Sequence, residues 1–272
     1  MQSRKRVSWR VRAVLLAAPA MFLAVCFRVP LRAETPPLDD LLARAARHAE
    51  LFVAQFSDVK CNERVQQVKF GKGGKIESTE ESLFDYLLML DASGGGIRLE
   101  ESRLVSEEKS RGRKASLLVT NGFSTLLLIF HPAYQSSFVF DSLEEERLDG
   151  APLLRVHFRH LPGTKSPAVL LVRGREFPLD LEGTAWLDAG SGAVVRMKAG
   201  LASSLEDIGL RTFGSEVDYA QVNFASEKNP YWLPRTAVIE VETPRQHWRN
   251  THRFTDYKLF SVSATSSIGQ TP

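Results

Sequence analysis

The sequence lacks most of the features by which a catalyst or a disulfide-bonded fold is recognised. It contains two cysteines and no HExxH, CxxC, GxSxG, P-loop or GxGxxG motif. The uncharged and mostly apolar run over residues 13–27 has 15 residues, fewer than the roughly 20 that a helix needs to cross a bilayer. The pattern therefore favours no motif-defined enzyme class and no metal or cofactor site.

The first 33 residues have the composition of an export signal. A basic stretch (Arg4, Lys5, Arg6, Arg10 and Arg12) precedes the apolar run, and a small residue, Ala33, stands before Glu34. We therefore expect a signal peptide over residues 1–33, cleavage near Ala33, and a periplasmic or secreted protein. The alternative is an uncleaved signal that anchors the chain in the inner membrane.

Loss of the signal changes the charge of the chain. Residues 1–33 hold seven of the 35 Lys and Arg residues and none of the 32 acids, so 28 basic residues would remain against 32 acidic ones. The sequence pI of about 8.9 thus belongs mainly to the signal, and charge gives no support for nucleic-acid binding. Cys26 would leave with the signal, so Cys61 has no intrachain partner and is expected to be a small buried side chain.

After the signal the apolar residues first follow a helical period and then a period of two. Residues 36–56 predict one amphipathic helix. From Val59 to Val262 short alternating runs are separated by Gly, Asp and Asn turns, which predicts about ten or eleven antiparallel strands. The expected fold is mainly β (α+β): a single curved sheet, or half-barrel, over residues 34–262 with covering helices on its concave side, followed by a flexible tail over residues 263–272. A monomer is expected.

One segment of the sequence, from Asn121 to Phe130, is apolar around nearly its whole circumference. It carries Phe123, Leu127, Ile129 and Phe130. Such a segment must lie between surfaces. It is either a buried core element or a plug that lies in a hydrophobic concavity.

The final predicted strand has two different faces. Trp248, Asn250, His252 and Phe254 share one face, which we expect on the concave side. The other face carries Arg245, His247, Arg249, Thr251 and Arg253. This basic row is either an outer face paired with acids of neighbouring strands, or a stripe (Arg245, Arg249, Arg253) that contacts an anionic head group or an envelope protein partner.

Histidines offer little support for metal binding or catalysis. The pairs His157/His160 and His247/His252 are three and five residues apart, so regular strands would point them to opposite faces. A hydrolase with a non-contiguous active site stays open as an alternative, because triads assemble from distant residues. His131, before Pro132, is then the first histidine to examine.

Three stretches carry a resemblance to a known family. Gly183–Met197 reads GTAWLDAGSGAVVRM, Tyr231–Pro234 reads YWLP, and Phe254–Phe260 reads FTDYKLF. A W-L-D strand, a glycine turn and a V-V-R strand resemble a hairpin of the periplasmic lipoprotein carrier and sorting proteins of the Lol type. The Leu-Pro strand and the closing Tyr-x-x-Phe strand are similar to the end of the same fold.

The resemblance implies a half-barrel with a hydrophobic concavity that is covered by helices and binds acyl chains. The missing catalytic motifs separately predict that the protein performs no chemistry. We therefore expect a carrier or sensor of a lipid or a lipoprotein acyl chain, without a cofactor. An interaction module without a lipid ligand is the alternative. The expected ligand-binding residues of the concave face are Phe123, Leu127, Ile129, Phe130, Trp186, Trp248, Asn250, His252 and Phe254.

Overall fold

The computed structural model describes residues 37–57, 59–91, 97–105, 123–148, 150–172 and 175–259. The predicted signal and the predicted tail lie outside these ranges. Within them, every helix is either too short or too polar to cross a membrane.

Helix α1 (Leu38–Phe56) forms where the sequence predicts a helix. Asp39 and Asp40 lie in its first turn, where carboxylates interact favourably with the positive end of the helix dipole. Its buried residues recur at steps of three and four, as one apolar stripe requires: Leu41, Ala45, Ala49, Phe52, Val53 and Phe56. This stripe faces the sheet.

The remaining described elements are strands, one short α-helix and three 3-10 segments. The strands are β1 (Val59–Phe70), β2 (Ile76–Asp91), β3 (Arg98–Val105), β4 (Phe138–Leu148), β5 (Ala151–His160), β6 (Val169–Val172), β7 (Arg175–Pro178), β8 (Leu181–Leu187), β9 (Val194–Leu201), β10 (Thr212–Val222), β11 (Tyr231–Glu242) and β12 (His247–Leu259). Helix α2 spans Pro132–Gln135, and the 3-10 segments are Lys72–Gly74, Phe123–Phe130 and Glu206–Ile208. Phe123–Phe130 is named the cover segment below.

Ten strands form one antiparallel sheet in the order β3-β2-β1-β12-β11-β10-β9-β8-β5-β4, and β6 and β7 form a separate hairpin. Most neighbours in the sheet are also neighbours in sequence, as short turns require. The exceptions are β1 beside β12 and β5 beside β8. The edge strands β3 and β4 do not pair with each other, so the sheet stays open. The predicted curved antiparallel half-barrel is confirmed.

The hydrophobic core lies between the concave face of the sheet and its covers. Helix α1 and the cover segment pack against each other and against β11. Core side chains from the sheet include Val156 and Phe158 of β5, Met197 of β9 and Val217 of β10, all fully buried. We call this the concave face, and the opposite side of the sheet the outer face.

Glycine 192 allows the close approach of α1 to the turn between β8 and β9. Its φ is +73°, and a Cβ there would lie 2.6 Å from Arg44 Cβ and 2.7 Å from the Ala45 backbone nitrogen. Both the left-handed backbone and the contact with a helix backbone exclude a side chain.

We expect Gly192→Ala to lower the free energy of unfolding by about 2–4 kcal/mol, since backbone strain and overlap add. Gly209→Ala is the matched control, because its φ is +83° and nothing lies within 4 Å of the added Cβ. It should cost only about 1–2 kcal/mol. Urea unfolding measures both, and equal losses would contradict the close packing of α1 on this turn.

Candidate functional site

The concave face is polar where β1, β2, β3 and β12 meet. Along β12 the buried residues Asn250, His252 and Phe254 alternate with exposed or half-buried ones. Beside them β1 buries Glu63 and Gln67. Buried polar groups cost free energy unless they are hydrogen-bonded. The partners of these side chains therefore define the site.

Glu63 joins three strands through one carboxylate. Its side chain is 0% exposed. Arg103 of β3 donates through Nε to Oε2 at 2.6 Å and through Nη2 to Oε1 at 3.0 Å. His252 Nδ1 lies 2.7 Å from Oε1 and donates to it, because an ionised carboxylate only accepts. The bidentate guanidinium contact is the strongest geometry for such a pair.

The same arginine connects the sheet to the cover segment. Arg103 Nη2 lies 2.9 Å from Glu101 Oε2, and Ser124 of the cover segment donates to Glu101 Oε1 at 3.0 Å. The Ser124 oxygen can then accept from the Tyr86 hydroxyl, 2.8 Å away. We call Glu63, Tyr86, Glu101, Arg103, Ser124 and His252 the polar network.

Burial and pairing act in opposite directions on the charged members of the network. Burial alone would raise the pKa of Glu63, but the hydrogen bonds from His252 and Arg103 outweigh it and hold that pKa below its ordinary value. Burial opposes the charged form of Arg103, yet Glu63 and Glu101 raise the pKa of its guanidinium. Burial also raises the pKa of Tyr86 well above the ordinary range. Glu63 and Arg103 are therefore a charged pair, and Tyr86 is neutral.

A second polar contact lies along the same pair of strands. Gln67 Nε2 donates to Asn250 Oδ1 at 3.1 Å, and both side chains are buried. In register, Gln67 is opposite Asn250, Val65 is opposite His252 and Glu63 is opposite Phe254. Buried polar contacts thus occur at two positions along the β1–β12 pair, one at Glu63 and one at Gln67.

The cover segment has an unusual backbone for its length. It is a 3-10 helix of eight residues with a non-helical position at Thr125 (φ −108°, ψ 15°). Runs of this kind beyond three or four residues are uncommon, because their hydrogen-bond geometry is poor. Its last five residues are at most 4% exposed: Leu126, Leu127, Leu128, Ile129 and Phe130. Its order therefore comes from the surrounding concavity.

A second hydroxyl fixes the middle of the cover segment. The Leu127 backbone nitrogen donates to the Tyr219 hydroxyl of β10 at 3.3 Å, and burial raises the pKa of this tyrosine. At the far end, the ring of Phe130 stacks on Phe140 with 5.2 Å between centroids. Few polar contacts hold an otherwise apolar segment.

Little space remains beside the polar network. A void of about 10 Å³ is lined by Glu101, Arg103, Ser124, Ala237, Ile239, His252 and Phe254. This is about the space that one water occupies. In this conformation the cover segment packs into the concavity, with Leu126–Phe130 buried.

The structure brings most of the predicted ligand-binding residues together. Leu127, Ile129 and Phe130 are buried on the cover segment, and Asn250, His252 and Phe254 are buried on β12. Trp248 continues the same side of β12 and is half-buried, with Lys69 Nζ 5.7 Å from its ring centroid. The backbone of Phe123 starts the cover segment, but its side chain lies outside the described part of the chain.

The sequence predicts Trp186 on the concave face, but the structure places it on the outer face. Its strand neighbours Ala185 and Leu187 face the core with 0% exposure. The indole nitrogen of Trp186 donates to Glu146 at 3.0 Å, and Lys198 Nζ lies 5.9 Å from its ring centroid. Three consecutive apolar residues carry no alternation, so the sequence could not decide which of them faces inward.

The three arginines of the predicted basic stripe differ in their surroundings. Arg249 lies on the outer face and pairs with Glu240 at 2.8 Å, as the alternative of a paired outer face expects. Arg253 is exposed on the same face. Arg245 precedes β12, which begins at His247, so it does not share the strand's alternation.

The sequence did not reveal the charged half of the site. Glu63 lies on the same side of an alternating run as Cys61 and Val65. This alternation is the sequence feature that indicates its burial. Nothing in the sequence shows that Glu63 meets Arg103 and His252, because the contacts join positions 40 and 189 residues apart.

Two histidines take part in contacts that could suggest catalysis. His131 Nδ1 accepts from the Ala133 backbone nitrogen at 3.1 Å and so caps α2. His160 lies 2.8 Å from Asp180 and 3.2 Å from the Thr164 hydroxyl, which itself donates to a backbone carbonyl at 2.6 Å. These contacts order turns. Across the described ranges, no three His, Cys, Asp or Glu side chains gather as metal ligands.

Because the pKa of Glu63 is depressed in the fold, its carboxylate stabilises the protein above its ordinary pKa of 4.5. That contribution is lost as the pH falls through the folded-state value. We expect Glu63→Gln to lower the free energy of unfolding at pH 7 by roughly 3–5 kcal/mol, because Arg103 keeps a buried charge without its partner. The difference from the parent should shrink between pH 4.5 and lower pH.

The matched control is Glu144→Gln. This change removes an exposed carboxylate that pairs with Arg155 on the outer face, and it should cost less than about 1 kcal/mol. Urea unfolding at several pH values measures both variants. A pH-independent loss in Glu63→Gln would show that its charge does not stabilise the fold.

No protein-family model matches the chain, and no curated protein matches it in sequence. Several solved structures are similar to it, three of them as follows. A LolA superfamily protein from Nitrosomonas europaea is 9% identical, covers 82% of this chain and 94% of its own, and has a TM-score of 0.40. A DUF1329 family protein from Desulfovibrio piger is 12% identical, covers 83% and 94%, and has a TM-score of 0.43.

The third structure is a domain from Vibrio parahaemolyticus named for outer-membrane lipoprotein sorting. It is 9% identical, covers 80% of this chain and 93% of its own, and has a TM-score of 0.41. At such scores, function must be argued from this chain's own contacts. The resemblance to Lol-type proteins that the sequence motifs indicate is confirmed as a distant one.

Proposed function

We propose that the concave face binds an amphiphile, either a lipid or the acyl chain of a lipoprotein, and that the protein carries or senses it in the bacterial envelope without chemical change. The ligand would enter between the sheet and the cover segment, which moves to admit it. One observation carries the proposal: the concavity is covered by an apolar 3-10 segment of the chain itself.

The burial free energies of the cover segment and of an acyl chain that would replace it are comparable. Five buried side chains of the cover segment, Leu126–Phe130, contribute roughly 8–15 kcal/mol if each contributes about 1.5–3 kcal/mol. A saturated chain with about 14 methylene groups contributes about 11 kcal/mol at 0.8 kcal/mol for each group. An acyl chain can therefore replace the contacts of the cover segment at little net cost.

The polar network would accommodate the other end of an amphiphile. When Ser124 moves with the cover segment, Arg103 and His252 face the widened void beside Phe254. A guanidinium and an imidazole can donate hydrogen bonds to a carboxylate, ester or phosphate oxygen. Sites for such ligands are mostly apolar with a few placed polar groups, which matches the composition of this face.

The location of the protein belongs to the same proposal. A basic segment followed by a short apolar run is the pattern of an exported chain. We propose residues 34–262 as the mature half-barrel, residues 263–272 as a flexible tail, and the periplasm as its place of action. N-terminal sequencing of exported material should begin near Glu34.

Mass spectrometry of protein purified from its native envelope tests the proposal directly. We expect a lipid or an acylated peptide to co-purify in substoichiometric or stoichiometric amount. Its identity would also decide between a free lipid and a lipoprotein. Protein that carries no amphiphile and takes up no fluorescent fatty acid would refute the proposal.

Tyr219→Phe tests whether the cover segment competes with the ligand. The change removes the hydroxyl that accepts from Leu127 and leaves the apolar ring in place. One such hydrogen bond contributes about 1 kcal/mol, so a larger fraction of molecules would be open and fatty-acid affinity should rise about five-fold. Fluorescence titration with a labelled fatty acid gives the apparent Kd.

Tyr257→Phe is the matched control. Its hydroxyl donates to the Pro234 carbonyl at 2.7 Å and also contacts the Cys61 thiol, so the substitution likewise removes a tyrosine hydrogen bond to the backbone. That bond does not involve the cover segment, and affinity should not change. Equal effects in the two variants would mean that general loosening of the fold, not release of the cover segment, controls binding.

A further inference from the structure

Four basic side chains on the outer face form two like-charged pairs. Arg64 of β1 lies opposite Arg253 of β12, and Lys60 lies opposite Lys258. All four residues are exposed. Like charges directly opposite each other on neighbouring strands destabilise a sheet. We call Lys60, Arg64, Arg253 and Lys258 the outer basic surface.

Three other arginines of the outer face have acidic partners. Arg155 pairs with Glu144, Arg196 with Asp218 and Arg249 with Glu240. Within the described ranges, by contrast, no acid forms an ion pair with any residue of the outer basic surface. These four cations thus lie together without the acidic partners that Arg155, Arg196 and Arg249 have. Stability of the sheet does not account for this arrangement.

A surface groove of about 610 Å³ lies along the arginine pair. Beside the two arginines, it is lined by Gln66 and Thr251, whose amide and hydroxyl groups can donate hydrogen bonds. Two acids, Glu81 and Asp256, also line it.

Asp256 is already engaged at one end of this groove. Its carboxylate accepts from Asn62 Nδ2 at 2.9 Å and from Thr255 Oγ1 at 3.2 Å. It stands at a register shift between β1 and β12 with a φ of +55°. Bulges of this kind occur next to binding sites, where they redirect side chains.

We propose that the outer basic surface docks on a membrane of anionic phospholipid, with Arg64 and Arg253 sharing one head-group phosphate. Two guanidinium groups on opposite residues of neighbouring strands can both donate to one tetrahedral phosphate. A carboxylate is the poorer match, because a single bidentate arginine already occupies both of its oxygens. The lysine pair lies four residues along β1, about 13 Å away at 3.3 Å for each residue. One phosphate ion cannot reach both pairs, but neighbouring head groups of a bilayer can.

This surface lies opposite the concave face, so the inference goes beyond the proposed function and does not depend on it. A protein docked by its outer face would keep the concave face and its cover segment directed away from the bilayer. Contact with the membrane and occupancy of the concavity are therefore separate events.

The test is sedimentation of the full chain with vesicles of phosphatidylglycerol and, separately, of phosphatidylcholine. We expect binding to the anionic vesicles only. The double variant Arg64→Gln/Arg253→Gln should bind about 25-fold more weakly, at about five-fold for each arginine near an anionic surface. The basic residues of the N-terminal segment are the same in every variant, so their contribution cancels in the comparison.

The control variant is Arg155→Gln/Arg249→Gln, which removes the same charge from the same face but from arginines paired with acids. We expect less than about three-fold weakening, because charges outside the contact are screened by salt. Circular dichroism and the urea midpoint verify that both variants fold. The content of co-purified lipid should be the same in both, which separates this inference from the function of the concave face.

Three outcomes would overturn the inference. Equal weakening in the two double variants would show only a general effect of net charge. Failure of the parent protein to bind phosphatidylglycerol vesicles would exclude docking. If millimolar inorganic phosphate displaced the protein from the vesicles, the groove would be a site for a soluble phosphate instead.

Discussion

The buried carboxylate of Glu63 is the constraint on which the rest of the structure depends. An ionised group away from water is tolerated only if its partners are all present at once. Arg103 and His252 provide them from two other strands. A slip of one residue in β1 would turn Glu63 to solvent and bring Arg64 inward. The register of β3, β2, β1 and β12 is therefore fixed by one charge as well as by the apolar pattern.

The same constraint bears on how the cover segment is held against the sheet. Replacing a buried ionic network with apolar residues is often neutral or stabilising, so stability alone gives no reason to keep one here. The network offers Ser124 a place to bind through single hydrogen bonds. An apolar patch would hold the segment by apolar contacts alone. The network adds directional hydrogen bonds that fix the position of Ser124.

Periodicity in the sequence was sufficient for the architecture and insufficient for the chemistry of the site. Alternation placed Asn250, His252 and Phe254 on one side of β12 and Arg253 on the other, as the structure shows. It failed at Trp186, because Ala185, Trp186 and Leu187 are all apolar and only the tertiary contacts decide which two face the core. The partners of Glu63 depend on strand order, and no local pattern contains that information. The unusually long 3-10 backbone of the cover segment likewise follows from the shape of its surroundings.

The order of the strands has a consequence for how the chain folds. β1 and β12 are neighbours in the middle of the sheet, and Val59 is opposite Leu259. Closing so long a loop is entropically costly, and folds dominated by such pairings form slowly. The pair that carries Glu63, His252, Gln67 and Asn250 cannot form until β12 has been synthesised. A chain that completes these inner strands last remains unfolded for longer, so its apolar strands stay exposed to aggregation until synthesis is nearly complete.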